Sequence, residues 1–385
     1  MTLERQAAET WERDTLSNKS LASEYLTLHE FIKAAKMNVS PKIWDYLVGG
    51  TETETTLARN RASLDAIALR PRVLRDVSNV DATSELFGRR VRLPVILAPV
   101  GSLESFADGG AVTVAEGAGR FGVAMMMSSV TQQTMEAVRA ATAGPLVYQL
   151  YVRGDADFVD NEIAKCQDLG FDGFCITVDT QHYSRRERDI SKRFIKSWRH
   201  ADPTMITSQM AFNWSDIARI RPSIKVPFAL KGIGTPEDAR IAIEHGVDVI
   251  YCSNHGGRQL DHGRGSADVV QEILEVCEGR ATVLMDGSVS RGTDVVKAIA
   301  SGCAAAGVGR LYCYALAAEG ADGIVRMLEI LENEIVTALG LTGVTSFGEL
   351  DRSYLHFGAP LVAAAPGVHS AFPLLNLDDD GYGGR

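Results

Sequence analysis

Within Ser253-Asn254-His255-Gly256-Gly257-Arg258-Gln259 a histidine and an arginine stand three residues apart in a glycine-rich segment. Glycine lets a backbone come close to a ligand. Arginine can hold a carboxylate through two parallel hydrogen bonds, and a histidine beside it can accept a proton near neutral pH. The segment therefore suits proton removal from a small carboxylic acid. A solvated surface turn would use the same residues, so partners must decide. Asp179, after the apolar run Gly173–Val178, is one: a carboxylate can fix the tautomer of His255 and stabilise its imidazolium. Lys231 closes another apolar run, Phe228–Lys231. A buried lysine is costly unless an anion or electron-rich group lies beside it.

The elements that end at these residues must bring them together. Eight short apolar runs read as strands: Leu93–Ala98, Val123–Ser128, Leu146–Tyr151, Gly173–Val178, Phe228–Lys231, Val247–Cys252, Thr282–Asp286 and Ala304–Gly309. Between them, Thr131–Ala141, Asp157–Leu169, Pro236–His245, Ala267–Cys277 and Gly292–Ala300 read as helices. Alternation of strands and helices predicts a parallel sheet. Eight such units predict an α/β fold closed into a (β/α)8 TIM barrel, with an open doubly wound sheet as the alternative. A helical segment, Thr27–Val48, precedes the barrel and is expected to cap one end. A last helix is expected over Ala315–Leu339. The chain then divides into an N-terminal extension (1–26), the barrel with its helical cap (27–345) and a C-terminal tail (346–385) whose last residues are expected to be disordered.

Function in such barrels sits at the C-terminal ends of the strands, and polar residues cluster there. The first run ends Ala98-Pro99-Val100-Gly101-Ser102, the second Ser128-Ser129, the third Gln149-Leu150-Tyr151 and the fourth Thr177-Val178-Asp179. The fifth ends in Lys231, and the sixth enters the Ser253–Gln259 segment. The seventh and eighth run into Asp286-Gly287-Ser288 and Gly307-Val308-Gly309-Arg310. Loops at these last two positions often bind phosphate. Their glycines expose backbone amides, and Arg291 or Arg310 can add charge. Ordinary tight turns are the competing reading.

Bulk properties narrow the classes. A net charge of −10 argues against a general nucleic-acid partner, although local arginines can still attract an anionic substrate. The six cysteines form no CxxC or Cys/His ligand pattern, so buried free thiols and no metal site are expected. The charged first residues lack a signal-peptide core. No run reaches the roughly 20 apolar residues of a membrane span. A cytoplasmic location without membrane partners is the expectation.

SNHGGRQLD closely resembles the active-site signature of the FMN-dependent 2-hydroxy acid oxidase and dehydrogenase family. WDYLVGGTETE, LRPRVLRDVS, PVILAPVG, YQLYV, ITVDT, SRRERDI, LKGI, MDGSVSRGTDVVKA and VGR extend the resemblance from about Thr27 to Val344. It implies an FMN enzyme with His255 as base and Asp179 as its carboxylate partner. Arg258 and Arg186 would bind the substrate carboxylate, with Tyr46 and Tyr151 beside it and Gly101 near the substrate. Lys231 would stabilise the reduced flavin. Ala98, Pro99, Val100, Ser128, Gln149, Thr177, Ser253, Asp286, Gly287, Ser288, Arg291, Gly309 and Arg310 would contact FMN. Oxygen is the favoured electron acceptor, and a homotetramer is implied.

Four departures qualify this. Ser290 stands where relatives usually carry an arginine in a DGGVR-like loop, so Arg310 and backbone amides would have to hold the phosphate. The segment between Phe194 and Trp214 is shorter than the lid of many relatives. Gly101 replaces an alanine, and Val130 an aromatic residue; both are expected to enlarge the pocket. The reading is oxidation of a 2-hydroxy acid bulkier than lactate to its 2-keto acid. The alternatives are a repurposed member acting on a biosynthetic or peptide-derived substrate, and a flavin-binding barrel without turnover.

Overall fold

The computed structural model describes residues 19–194, 204–358 and 371–372. Eight parallel strands form a closed barrel in chain order: β1 (Val95–Leu97), β2 (Ala124–Ser128), β3 (Leu146–Leu150), β4 (Gly173–Thr177), β5 (Phe228–Ile233), β6 (Val249–Cys252), β7 (Thr282–Met285) and β8 (Ala305–Val308). Pairing of β8 with β1 closes the ring, Val308 opposite Leu97. The strands read as unbroken apolar runs because both faces are covered. Ile96, Ala124, Met126, Val147, Cys175, Ala229, Tyr251 and Leu284 pack together inside the barrel. Their strand neighbours, including Leu97, Met125, Met127, Leu230 and Ile250, join the core shared with the helices. This is the period-two alternation of a strand.

Each expected strand is present. Only β5 runs on past its expected end, through a register shift between Lys231 and Ile233. The hairpin Ser84–Leu86 with Arg89–Val91 contributes Leu86 and Val91 to the interior cluster and so plugs the N-terminal end of the barrel. The segment Thr27–Val48 is two helices, Leu28–Asn38 and Pro41–Val48. Pro41 restarts helix at a first-turn position, and Ser40 Oγ accepts from the Ile43 amide. The first helix lies along the final one; the second carries Tyr46 over the catalytic end. The final helix spans Arg310–Thr342 with a break at Glu319 and Gly320, longer than the expected Ala315–Leu339. Leu355–Phe357 pairs with Ile67–Leu69, so the beginning of the tail is fixed to the domain. The expectation of disorder falls on residues outside those described. All six cysteines are free and buried.

Helices Thr55–Asp65 and Gly110–Phe121, and three after β4, were not expected. Thr55–Asp65 has a structural duty at the site. Arg61 donates to both Asp294 carboxylate oxygens at 2.8 Å, to Asp65 at 2.9 Å and to the Ser288 carbonyl at 3.1 Å. The Arg61 and Asp294 side chains are 7% and 1% exposed. Removing one member of a buried pair leaves the other charge uncompensated, at a cost of about 3–5 kcal/mol. Arg61→Met is therefore expected to lower the thermal unfolding midpoint well beyond the effect of replacing the exposed Arg185. Equal midpoints would show that the clamp contributes nothing.

Candidate active site

The C-terminal strand ends enclose one cleft, lined by residues of every element that the polar strand ends singled out. Its centre is the turn after β6. His255, Gly256 and Gly257 are all left-handed, with φ of 60°, 64° and 75°. A Cβ on Gly256 would stand 2.8 Å from Arg310 Nη1, and one on Gly257 would stand 2.5 Å from the Leu57 backbone. Both glycines are thus required by close approach. The turn is held by Asn254, whose Oδ1 accepts from the Gly257 amide at 3.0 Å. Asn254 also exchanges amide hydrogen bonds with Asn60 at 2.7 and 2.8 Å.

His255 Nδ1 is 3.1 Å from Asp179 Oδ1, and its Nε2 is 3.2 Å from the Tyr151 hydroxyl. Burial lowers the His255 pKa below 6.5 although Asp179 pulls upward; Lys231 and Arg186 add to the lowering. Burial alone would raise Asp179, but His255 and Lys231 hold it below the usual carboxylate range. The pair thus rests as neutral imidazole and carboxylate. Nδ1–H donates to Asp179, and the Nε2 lone pair, which faces the Tyr151 hydroxyl, is the ring position that can take up a proton. Gly232 makes room for this pair. Its φ is +111°, and a Cβ there would lie 2.7 Å from Asp179 Cβ. The bulge in β5 therefore re-aims the strand end beside the site.

Arg258 Nη1 donates to the carbonyls of Tyr46 at 2.6 Å and Gly49 at 3.0 Å, and its guanidinium lies 4.8 Å over the Tyr46 ring. Burial and the neighbouring Arg186 pull its pKa down to about 10, so it stays charged at neutral pH. Arg186 is buried rather than solvated. It donates to the Arg258 carbonyl at 3.3 Å and to Gln259 at 3.4 Å, and stands over the Tyr183 ring. Neither guanidinium has a carboxylate partner among the described residues. Burial would lower Lys231, yet Asp286 and Asp179 raise its pKa. Lys231 Nζ is 3.1 Å from Asp286 and donates to Ser253 Oγ at 2.7 Å, which in turn donates to Asp286 at 2.7 Å.

Tyr46, Ala98, Pro99, Val100, Gly101, Tyr151, Arg186, Lys231, His255, Arg258, Asp286, Gly287, Ser288, Gly309 and Arg310 all line the cleft. Ser128, Gln149, Thr177 and Ser253 are buried at the ends of β2, β3, β4 and β6. Both amide atoms of Gln149 and the Thr177 hydroxyl lack a hydrogen-bond partner among the described residues. Such groups are rare in a finished interior and mark a place for a further partner. Arg291 was expected among the cofactor contacts. It is absent from the cleft wall, because its guanidinium pairs with Glu334 at 2.5 Å. The amides that open the following helix are also taken: Ser290 and Arg291 donate to Asp294, and Gly292 donates to Glu334. After β8 the helix beginning at Arg310 has no side-chain cap. Arg310 itself is pinned by the carbonyls of Leu47, Gly256 and Gly49 at 2.8–3.2 Å.

Gly101 also differs from expectation. A Cβ there would meet Val130 Cβ and carbonyl oxygen at 3.2 Å, so the space beside Gly101 is already occupied by Val130. Three residues escaped sequence reasoning. Gln259 Nε2 ties the Asp179 and His182 carbonyls at 2.8 and 3.0 Å. Gln209, on helix Thr204–Ala211, bonds Val152 and Thr177 at 2.7 and 3.2 Å and lines the cleft. Arg153 lines it as well. Position after a strand end was a signal for Arg153; Gln209 offered none. Residues 195–203 of the expected lid lie outside the described residues.

Residues 35–357 match the FMN-dependent dehydrogenase family. Glycolate oxidase of Spinacia oleracea is 33% identical over 353 residues, covering 86% of this chain and 96% of the relative. A peroxisomal (S)-2-hydroxyacid oxidase of Arabidopsis thaliana is 32% identical, with coverage of 86% and 96%. A solved mandelate oxidase structure superposes with a TM-score of 0.82 at 33% identity, covering 88% of this chain and all of the other. With its closed barrel, half-buried His–Asp pair and twin arginines, this chain belongs to the FMN-dependent dehydrogenase family and is an FMN-dependent 2-hydroxy acid oxidase or dehydrogenase.

Proposed function

We propose that the protein oxidises a 2-hydroxy acid bulkier than lactate to the 2-keto acid and passes the electrons to oxygen. The observation that carries the reading is His255, hydrogen-bonded to Asp179 and facing a cleft that also presents Arg186 and Arg258, neither in an ion pair among the described residues. The small Val130 on the cleft wall supports the substrate size. So does a mandelate oxidase solved with (S)-2-phenylpropionate, 34% identical to this chain. The oxidase names of the relatives support oxygen.

The residues present fit FMN. Gln149 and Thr177 offer unpartnered polar atoms, Lys231 offers a cation, and Arg310 with the uncapped helix start offers a phosphate seat. These groups would hold the cofactor, which when bound accepts the substrate's two electrons. Arg258 and Arg186 clamp the substrate carboxylate and so orient C2, an effect worth up to roughly 7–11 kcal/mol in favourable cases. The Tyr151 hydroxyl, kept protonated by burial, donates to a substrate oxygen or to His255. Nε2 of His255 receives the substrate proton, and Asp179 stabilises the imidazolium that forms.

His255→Ala is expected to slow anaerobic flavin reduction by about 10²–10⁴-fold while the purified protein remains yellow. A reduction rate near that of the parent would refute the base. The acid limb of kcat/KM follows protonation of His255. Because its pKa is lowered, activity is expected to hold down to pH 6.5 and fall below it. Asp179→Asn removes an upward influence and should move that limb further down; a limb centred above pH 7 contradicts the assignment. Steady-state comparison of glycolate, lactate and mandelate is expected to rank glycolate last, and a clear preference for glycolate would sink the proposed substrate size.

A further inference from the structure

The cationic residues of the cleft wall are Arg61, Arg153, Arg186, Arg258, Arg310 and Lys231, against one carboxylate, Asp286. Arg61 is neutralised by Asp294, and Lys231 by Asp286. Arg186 and Arg258 face the proposed carboxylate clamp. Arg310 stands at the proposed phosphate end. Arg153 is left over. It forms no ion pair among the described residues, and its Nη2 donates to a neutral acceptor, the Ser129 carbonyl, at 2.9 Å. Its Nε is buried without a partner among the described residues. A partly buried cation of this kind is costly until an anion meets it.

The position of Arg153 says which part of a ligand that anion belongs to. Arg153 follows Tyr151 by two residues at the end of β3, and both are tied to Ser129: Tyr151 through its amide to Ser129 Oγ at 3.0 Å, Arg153 through the Ser129 carbonyl. Tyr151 reaches His255. Ser129 leads directly into Val130, which packs against Gly101. Arg153 therefore belongs to the wall that a substituent on C2 would meet, while the clamp for the first carboxylate lies on the Arg258 and Arg186 side.

We propose that Arg153 is a specificity-determining residue and that the substrate is a 2-hydroxy acid with a second carboxylate on its C2 substituent, held by the Arg153 guanidinium. This rests on the oxidase reading above and narrows it to a substrate class. The planar fork of arginine matches a carboxylate, and a charge-assisted hydrogen bond is stronger than a neutral one, so a preference of about ten-fold or more is expected.

The test compares diacids with neutral partners of matched shape: malate with 2-hydroxy-4-methylpentanoate, and 4-carboxymandelate with 4-methylmandelate. The FMN-loaded parent, Arg153→Met and Arg153→Lys are assayed by stopped-flow flavin bleaching and by kcat/KM. The expected result is a diacid preference of about ten-fold or more in the parent for at least one pair. That preference is lost in Arg153→Met and partly kept in Arg153→Lys. Bleaching by monoacids with no diacid preference overturns the assignment of Arg153 and leaves the oxidase reading standing. A diacid preference that survives in Arg153→Met also overturns it. No bleaching by any 2-hydroxy acid, mono or di, overturns the oxidase reading and this inference together.

Discussion

The left-handed turn at His255–Gly257 is the constraint on which the site depends. A residue with a Cβ pays about 1–2 kcal/mol to adopt that conformation, and here His255 does so directly before two glycines. The surroundings over-determine the turn. Ser253 Oγ accepts from the His255 amide at 3.1 Å, Asn254 accepts from Gly257, and Asn60 braces Asn254 from a helix near the N-terminus. In return the turn sets four contacts at once. The imidazole is placed on Asp179, Gly256 is laid against Arg310, Gly257 against Leu57, and Arg258 is lifted under Tyr46. Strain stored at a functional site and supported by its neighbours is the expected pattern for a preorganised centre.

Charge is the second organising term. Burying a cation is tolerated when its donors are satisfied and an anion is near. Arg61 and Lys231 meet both conditions within the polypeptide. Arg186, Arg258 and Arg310 are held by carbonyl and amide oxygens and form no ion pair among the described residues, although Glu54 and Asp189 attract Arg310 and Arg258 from farther off. Carbonyls fix a guanidinium in place and leave its field directed into the cleft. Burial is the main reason that the His255 pKa is lowered, and the neighbouring cations add to it. An imidazolium beside Lys231 and Arg186 is disfavoured, so the base stays unprotonated until substrate brings negative charge into the cleft.

The barrel was legible because its strands are short, doubly buried and separated by glycine or proline, so composition alone marks them. The twin N-terminal helices merged in the sequence reading because Val39 and Ser40 interrupt the apolar pattern only briefly; Pro41 was the unread stop and restart. Helix Gly110–Phe121 was missed because its buried face is largely Gly and Ala, too small to give a clear apolar stripe. At the site, His255, Asp179, Lys231 and Arg258 were readable as strand-end chemistry. Gln209 and Gln259 were not: Gln209 bridges the ends of β3 and β4, Gln259 ties two carbonyls of the loop after β4, and partners that come only with tertiary structure leave no local mark in the chain. For Arg291 the local pattern failed to show the partner. Its loop position suggested an anion, but Glu334 on the final helix claims it.

That failure gives the substitution at Ser290 a physical context. The start of the helix after β7 is capped from within the protein, with Asp294 and Glu334 taking three successive amides. A phosphate brought there would meet two carboxylates that already hold these three amides. The start of the helix after β8 has its positive end uncapped, with Arg310 at its first position. An anion at the bottom of the cleft is therefore favoured on the β8 side, where amides and a fixed guanidinium converge. On the proposed reading the cofactor's phosphate depends on that single side, and an arginine at 290 is dispensable provided Arg310 stays braced. The carbonyls that brace it come from Leu47, Gly49 and Gly256. The same Gly49 carbonyl holds Arg258, and Gly256 follows the base directly. The grip on cofactor, the grip on substrate and the position of the base thus share one short stretch of backbone contacts.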